Sequence, residues 1–141
     1  MIEPLKPPGK ILLSEQQIQE RIAQLGQQIT KDYKNSVPLL VGVLKGAFVY
    51  MADLARAIAL PVEFDFMAVS SYGNATKTSG VVRIVKDLDI DLSGRDVIVV
   101  EDIIDSGLTL SYLRKNLESR GPASLEICAL LLRSGRQPNE L

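Results

Sequence analysis

Short, solidly apolar runs alternate with segments of helical periodicity, and that alternation constrains the fold of this chain more than any other feature. Pro38–Leu44 is too short for a helix and reads as a buried strand. Val97–Val100 is a strand of four aliphatic residues, and Ser124–Leu132 is the last strand. Between them lie helical signals. Ser14 followed by Gln17 is a capping-box start, and Ile18, Ile22, Leu25 and Ile29 recur at helical spacing, which predicts a helix over 15–33. Gly46–Leu60 is rich in Ala and Leu and is stopped by Pro61; Leu108–Ser119 is punctuated by Gly121-Pro122. Val62–Val69 predicts a strand in which Val62, Phe64, Phe66 and Ala68 alternate against Glu63 and Asp65. Ser70–Gly80, with almost nothing to bury, predicts a mobile loop, followed by a strand at Val81–Val85 and a turn-rich connector at Asp87–Asp96. Residues 1–13, with Pro4, Pro7 and Pro8, read as an extended arm. The pattern implies an α/β fold: one domain over 1–141, with a largely parallel sheet flanked by helices on both faces. In such sheets ligands bind at the carboxyl ends of the strands, so the loops after Leu44, Val69, Val100 and Leu132 are where chemistry belongs.

Composition narrows that chemistry. There is no histidine and one cysteine, which excludes a Ser-His-Asp or Cys-His nucleophile, a Cys/His zinc site and an internal disulfide. Acid–base work falls to Asp, Glu, Lys, Tyr or the substrate. Sixteen Lys+Arg against 17 Asp+Glu leave a net charge of −1, with no footprint for nucleic acid or an anionic membrane. The first ten residues lack the apolar core of a secretory signal, and the longest apolar runs, about seven residues, fall far short of the ~20 that span a bilayer. A reducing cytoplasmic compartment is the expectation. Cys128 reads as a core thiol, and Tyr33 and Tyr50 as helix-packing residues. Asp87, Asp89 and Asp91 hint at a Ca²⁺ loop, but Leu92 and Ile98 stand where the EF-hand pattern needs Gly and Glu, so they read as a solvated connector.

The strongest signal is the segment Val97–Thr109. An apolar strand ends in Glu101-Asp102; Asp105, Ser106, Gly107 and Thr109 follow in a short loop, and a helix begins at once. Loop amides and a helix N-terminus suit a phosphate, with Ser106 and Thr109 adding hydroxyl donors. The acidic pair just below suits sugar hydroxyls or a hydrated Mg²⁺. Phosphate and diol on one short loop suggest a ribose phosphate. Two other readings exist: a plain strand–turn–helix in which Asp105 or Ser106 caps the helix, and a Walker B strand, which needs an upstream G-x-x-x-x-G-K-[ST] that this chain lacks.

Val97–Thr109 resembles the phosphoribosyl-pyrophosphate signature of the type I phosphoribosyltransferases, and Glu101-Asp102-Ile103-Ile104-Asp105 resembles their hypoxanthine-guanine branch. Val41–Phe48 is similar to that branch's first active-site loop and Ser70–Gly73 to its mobile loop; Arg83–Asp89 and Leu92–Asp96 are similar to its connector. The likeness runs from about Lys10 to Leu132. It implies the type I phosphoribosyltransferase fold and purine salvage: transfer of 5-phosphoribosyl from phosphoribosyl pyrophosphate (PRPP) to N9 of hypoxanthine or guanine, giving IMP or GMP and pyrophosphate with Mg²⁺ as cofactor. By the same resemblance Glu101 and Asp102 hold the ribose hydroxyls with Mg²⁺ nearby, and Asp105, Ser106, Gly107, Leu108 and Thr109 cradle the 5′-phosphate. Asp105 faces the purine N7 as general base, and Ile103 packs on the purine. Leu44-Lys45 carries a non-proline cis peptide, with Lys45 and Gly46 near the pyrophosphate, and Ser71 and Tyr72 close over the site. Arg133 stands where the family usually has a Lys that bonds the 6-oxo group, and Arg136 matches a pyrophosphate-binding Arg. Family members continue for roughly forty more residues, within ordinary domain sizes, so the C-terminal part of the purine hood is expected to be missing. The partners implied are PRPP and the base, with no nucleic acid and no membrane, in a homo-oligomer (dimer or tetramer). The alternative is a non-catalytic binder of PRPP or nucleotide, a truncated relic or a regulator.

Overall fold

The computed structural model describes residues 9–72 and 81–133. The expected loop residues 73–80, the first eight residues of the arm, and Arg136 with the rest of the tail lie outside the described residues. The element order is α1 (Glu15–Asp32), β1 (Leu39–Leu44), α2 (Phe48–Ala57), β2 (Glu63–Tyr72), β3 (Val81–Lys86), β4 (Asp96–Ile104), α3 (Leu108–Glu118) and β5 (Ser124–Leu132). The strands form one sheet in the order β3-β2-β1-β4-β5. β2, β1, β4 and β5 run parallel, and β3 folds back antiparallel on β2.

The apolar runs are buried on both faces, and strand alternation divides them cleanly. Leu39, Val41, Val97 and Val99 pack with Leu110, Leu113 and Leu117 of α3. Leu40, Ile98 and Val100 pack on the other face with Ile22 and Ile29 of α1 and Met51 and Leu54 of α2. A strand covered on both sides has no polar side to show, which is why these segments read as continuous aliphatic runs. The α1 capping box forms as the sequence implies: the Ser14 hydroxyl accepts from the Gln17 N–H at 3.1 Å, and Gln17 Oε1 accepts from the Ser14 N–H at 2.8 Å.

Four boundaries differ from expectation. First, α2 is shorter than 46–60. Ile58 is already extended (φ −93°, ψ 122°), and the Ala59 N–H turns away to the Thr30 hydroxyl at 2.9 Å. Second, β2 runs through Ser70–Tyr72, residues expected in the loop, because they pair with Val81–Arg83 of β3. Third, β4 does not stop at Val100. It continues through Glu101-Asp102 to Ile104, because Ile103 and Ile104 stay paired with Leu131 and Leu132 of β5. Fourth, the Asp87–Asp96 connector is anchored rather than merely solvated. Leu92 is fully buried, and Asp87 pairs with Arg120 at 2.9 Å.

β2 is covered on both faces where the alternation predicts one. Val62 and Phe66 pack on the α1/α2 side as expected and Phe64 is 46% exposed, while Asp65 and Met67 are buried on the other face. The physical reason lies in what covers this face. The connector covers it, through Leu88, Ile90 and Leu92. A connector in an apolar setting brings unpaired N–H groups that need acceptors. The Asp65 carboxylate supplies them: Oδ2 accepts from the N–H groups of Asp89 (2.8 Å) and Ile90 (2.9 Å), and Oδ1 from Phe66 (2.8 Å).

Asp65→Ala removes those acceptors and is expected to destabilise the chain by about 2–3 kcal/mol, the cost of leaving buried donors unpaired. Urea unfolding of Asp65→Ala beside Asp65→Asn, which keeps one acceptor oxygen and should fall between, measures this. Both variants within about 0.5 kcal/mol of the parent, the range of ordinary surface substitutions, would show that the connector is held by its apolar residues alone.

Candidate active site

The strand order turns at one place. From β1 the sheet grows toward β2 on one side and toward β4 on the other, so the loops after β1 and β4 diverge and leave a crevice between them. Both loops are short. After β1 the Leu44–Lys45 peptide is cis, and α2 starts at Phe48. After β4 only residues 105–107 precede α3. The two meet where Gly46 faces Asp102. A Cβ built on Gly46 would lie 3.0 Å from Asp102 Oδ2 and 3.2 Å from Oδ1, so glycine lets the backbone and the carboxylate approach this closely. Asp102 Oδ1 also accepts from the Ile103 N–H at 2.9 Å.

The turn into α3 is built to leave amides available. Gly107, buried, occupies the cap position with φ +83°, a left-handed conformation that a side chain would strain. No side chain caps the helix from that position, while the Ser106 hydroxyl accepts from the Leu108 N–H at 3.3 Å. The capping reading is met at Ser106 by this contact. A cleft of about 160 Å³ opens at this helix end, lined by Glu101, Ile103, Asp105, Ser106, Gly107 and Thr109 among others. Helix N-terminal N–H groups, a positive dipole end and two hydroxyl residues suit an anion of phosphate size.

Acidic groups stand on the same rim. Burial pushes the Glu101 carboxyl up to about 7, helped by a hydrogen bond with Asp102 and by that residue's negative charge. Two adjacent carboxylates that resist ionising together suit hydroxyl groups or a hard cation. Among the described residues no three Asp, Glu, His or Cys side chains gather into a metal cluster. The donor set nevertheless suits Mg²⁺, which takes one or two carboxylates and completes its shell with water and substrate oxygens. Between the ends of β4 and β5, Arg133 Nη1 reaches Asp105 Oδ1 at 3.0 Å, both side chains being 55% exposed.

The structure therefore gathers Lys45, Gly46, Glu101, Asp102, Ile103, Asp105, Ser106, Gly107, Leu108 and Thr109 around the carboxyl ends of β1 and β4. Arg133 follows β5 directly, its N–H bonded to the Ile104 carbonyl at 3.0 Å. Ser71 and Tyr72 close β2, with only their backbones described. Two things escaped the sequence reading. One is the Arg133–Asp105 pair, which joins residues 28 apart with no local signal. The other is a larger groove of about 770 Å³ between α1 and the first half of β5. Its charges are of both signs, and its Asp96 is already committed to the hydroxyls of Ser36 (2.6 Å) and Ser124 (2.7 Å).

Comparison with known proteins agrees with this geometry. The phosphoribosyl transferase domain model matches residues 9–140. A hypoxanthine-guanine phosphoribosyltransferase of Mycobacterium tuberculosis H37Rv is 58% identical over 133 residues, covering 88% of this chain and 66% of that protein. The chain thus spans just under two thirds of the length of this relative. The enzyme of the same name from Bacillus subtilis is 51% identical over 129 residues, covering 91% of this chain and 72% of its own. The crystal structure of a Staphylococcus aureus hypoxanthine phosphoribosyltransferase superposes with a TM-score of 0.89 at 40% identity, over 94% of this chain and 72% of that one. With its switch-point crevice, its acidic pair and its phosphate-sized helix terminus, the chain belongs to the phosphoribosyltransferase family, in the hypoxanthine-guanine branch.

Proposed function

We propose that the chain transfers 5-phosphoribosyl from PRPP to hypoxanthine or guanine in purine salvage. The observation that carries this is the meeting of two loops at one crevice: Asp102 against the Gly46 backbone, and Glu101 beside the N-terminus of α3. Phosphate, diol and pyrophosphate sites then lie within one sugar's length. The C1′–O bond to pyrophosphate breaks, pyrophosphate leaves with the electron pair, and the purine N9 forms the new bond to C1′. The proton the base loses passes from N7 to the Asp105 carboxylate. The transition state is a ribosyl cation, so the protein's task is to place charges and exclude water. That task suits a chain without histidine.

Glu101 and Asp102 would hold the ribose hydroxyls and Mg²⁺. When bound, the cation would neutralise the charge on the departing pyrophosphate. The amides from Ser106 to Thr109 bind the 5′-phosphate, Ile103, 46% exposed, offers an apolar surface to the base, and Arg133 meets its 6-oxo group. Lys45 and Arg136 serve the pyrophosphate, and Ser71 and Tyr72 close over the site. Self-association into dimers or tetramers belongs to the same reading, supported by exposed Phe48 and Val49 at the start of α2. A cytoplasmic setting is supported by the buried free thiol of Cys128. Among the described residues no helix is long and apolar enough to cross a membrane.

The first test incubates the 141-residue chain with Mg²⁺, PRPP and hypoxanthine or guanine and follows nucleotide formation. Binding of PRPP without turnover would replace the transferase with the binder. Asp105→Asn is expected to lower turnover by about 10²–10³, the scale of a lost proton-transfer group, while PRPP affinity changes less than threefold. Equal losses in both would remove the proton-transfer role.

A pH dependence follows from Glu101. Its carboxyl is raised from 4.5 to about 7, so it is protonated in the folded chain over a window where the unfolded chain would be ionised. Stability falls as pH rises through that window, because the unfolded chain releases the proton that the folded chain keeps, and that proton competes with Mg²⁺ and the ribose diol. Affinity for Mg²⁺–PRPP should therefore climb about tenfold per unit as pH rises toward 7, then level off. The difference between the parent and Glu101→Gln, titrated side by side, cancels the ionisation of PRPP itself; parallel curves would assign the whole dependence to the ligand. Gly46→Ala is expected to push Asp102 aside and weaken PRPP binding roughly tenfold with under 1 kcal/mol change in stability, since Gly46 is exposed. Calorimetric titration beside urea unfolding separates the two effects.

A further inference from the structure

A cation at position 133 that bonds the 6-oxo group is what the family likeness already implies. The structure adds a second partner for it. Arg133 Nη1 donates to Asp105 Oδ1 at 3.0 Å, between the ends of β4 and β5. We propose that Arg133 and Asp105 act as one recognition unit, in which the guanidinium bridges the Asp105 carboxylate and the 6-oxo group of the base. The inference rests on the purine transfer proposed above and deepens it.

Three observations support the bridge. First, the backbone at both ends is fixed. Ile104 pairs with Leu132 in the ladder, and the Arg133 N–H donates to the Ile104 carbonyl at 3.0 Å. The two side chains therefore leave adjacent strand ends at a set spacing. Second, the pair is half exposed on both sides, where an ion pair contributes about 0–1 kcal/mol, so stability does not explain its placement. Third, Asp105 neighbours Ile103, the exposed apolar residue on which the base rests in the proposed reading, so the pair stands beside that place.

The choice of arginine fits that place. A guanidinium carries five N–H donors in one rigid plane. With Nη1 committed to Asp105, the remaining donors are held in fixed directions, and Asp105 sets the angle at which they meet a carbonyl. An ammonium on a flexible stem transmits no such orientation. A 6-oxopurine presents an acceptor to those donors. A 6-aminopurine presents N–H groups, leaving donors facing donors. Asp105 is thus a positioning residue for base choice, in addition to any part it takes in proton transfer.

The test compares IMP with AMP, which share the same phosphate and ribose, so losses at those subsites cancel in the ratio of their affinities. Calorimetric titration with Mg²⁺ present is expected to give a preference for IMP of roughly a hundredfold in the parent, the upper end of what one donor left without its acceptor loses. Asp105→Ala is expected to cut that preference about tenfold, although Asp105 does not touch the 6-substituent. Arg133→Gln should abolish it, Arg133→Lys should restore part of it, and the double variant Asp105→Ala/Arg133→Gln should match Arg133→Gln alone. An unchanged ratio in Asp105→Ala, or losses that multiply in the double variant, would overturn the bridge while leaving the transferase reading in place. A parent chain that binds both nucleotides equally also overturns it. Binding of neither nucleotide would bring down the bridge and the proposed function together.

Discussion

The pairing of β1 with β4 is the constraint on which the rest of the structure depends. Leu39–Gly42 lies in register with Val97–Val100, and this is the only strand pairing between the two halves of the sheet, among the described residues. Every residue in that register except Gly42 is an aliphatic at 0–2% exposure. Because both faces are covered, a slip by one residue would exchange the side chains that meet α3 with those that meet α1 and α2. The register in turn aligns the two strand ends, which brings Asp102 against Gly46. The hydrophobic centre and the polar crevice are consequences of one ladder.

Much of this was legible in the sequence, and the reasons are local. The capping box at Ser14, the helical stripe from Ile18 to Ile29 and the span of β5 come from interactions within a few residues, which a sequence displays directly. The doubly covered strands were legible because burial on two faces leaves a continuous aliphatic run. What was not legible depends on partners distant in the chain. Asp65 reads as the solvent side of an alternating strand, and by period alone it should be. It is buried because the residues covering it are a connector with donors to satisfy, 24 and 25 positions further on. The extension of β4 through Glu101-Asp102 has the same origin: two carboxylates look like the end of a strand until β5 is there to continue the ladder.

The candidate site divides in the same way. Its acidic pair and its Ser-Gly-Leu-Thr turn are contiguous, and a strand–turn–helix gives them one geometry wherever it occurs. The place of Gly46 was legible only through likeness to a family, because its neighbour Asp102 is 56 positions away. The Arg133–Asp105 pair was not legible at all. Asp105 alone reads as a cap or a base and Arg133 as a solvated charge or a contact to the base, and only the β4–β5 register sets them side by side.

The charge arrangement gives these placements their sense. Burial keeps Glu101 from ionising readily beside Asp102, while the amide-rich terminus of α3 stands next to them, capped at Gly107 by no side chain of that residue. Before a ligand arrives, Glu101 is therefore held short of its full charge. On the reading proposed above, a sugar phosphate with a cation would meet both groups at once, its phosphate at the helix terminus and its diol and cation at the carboxylates. Selectivity for a phosphorylated sugar over its fragments would then arise from coupling between two subsites on a single strand–turn–helix.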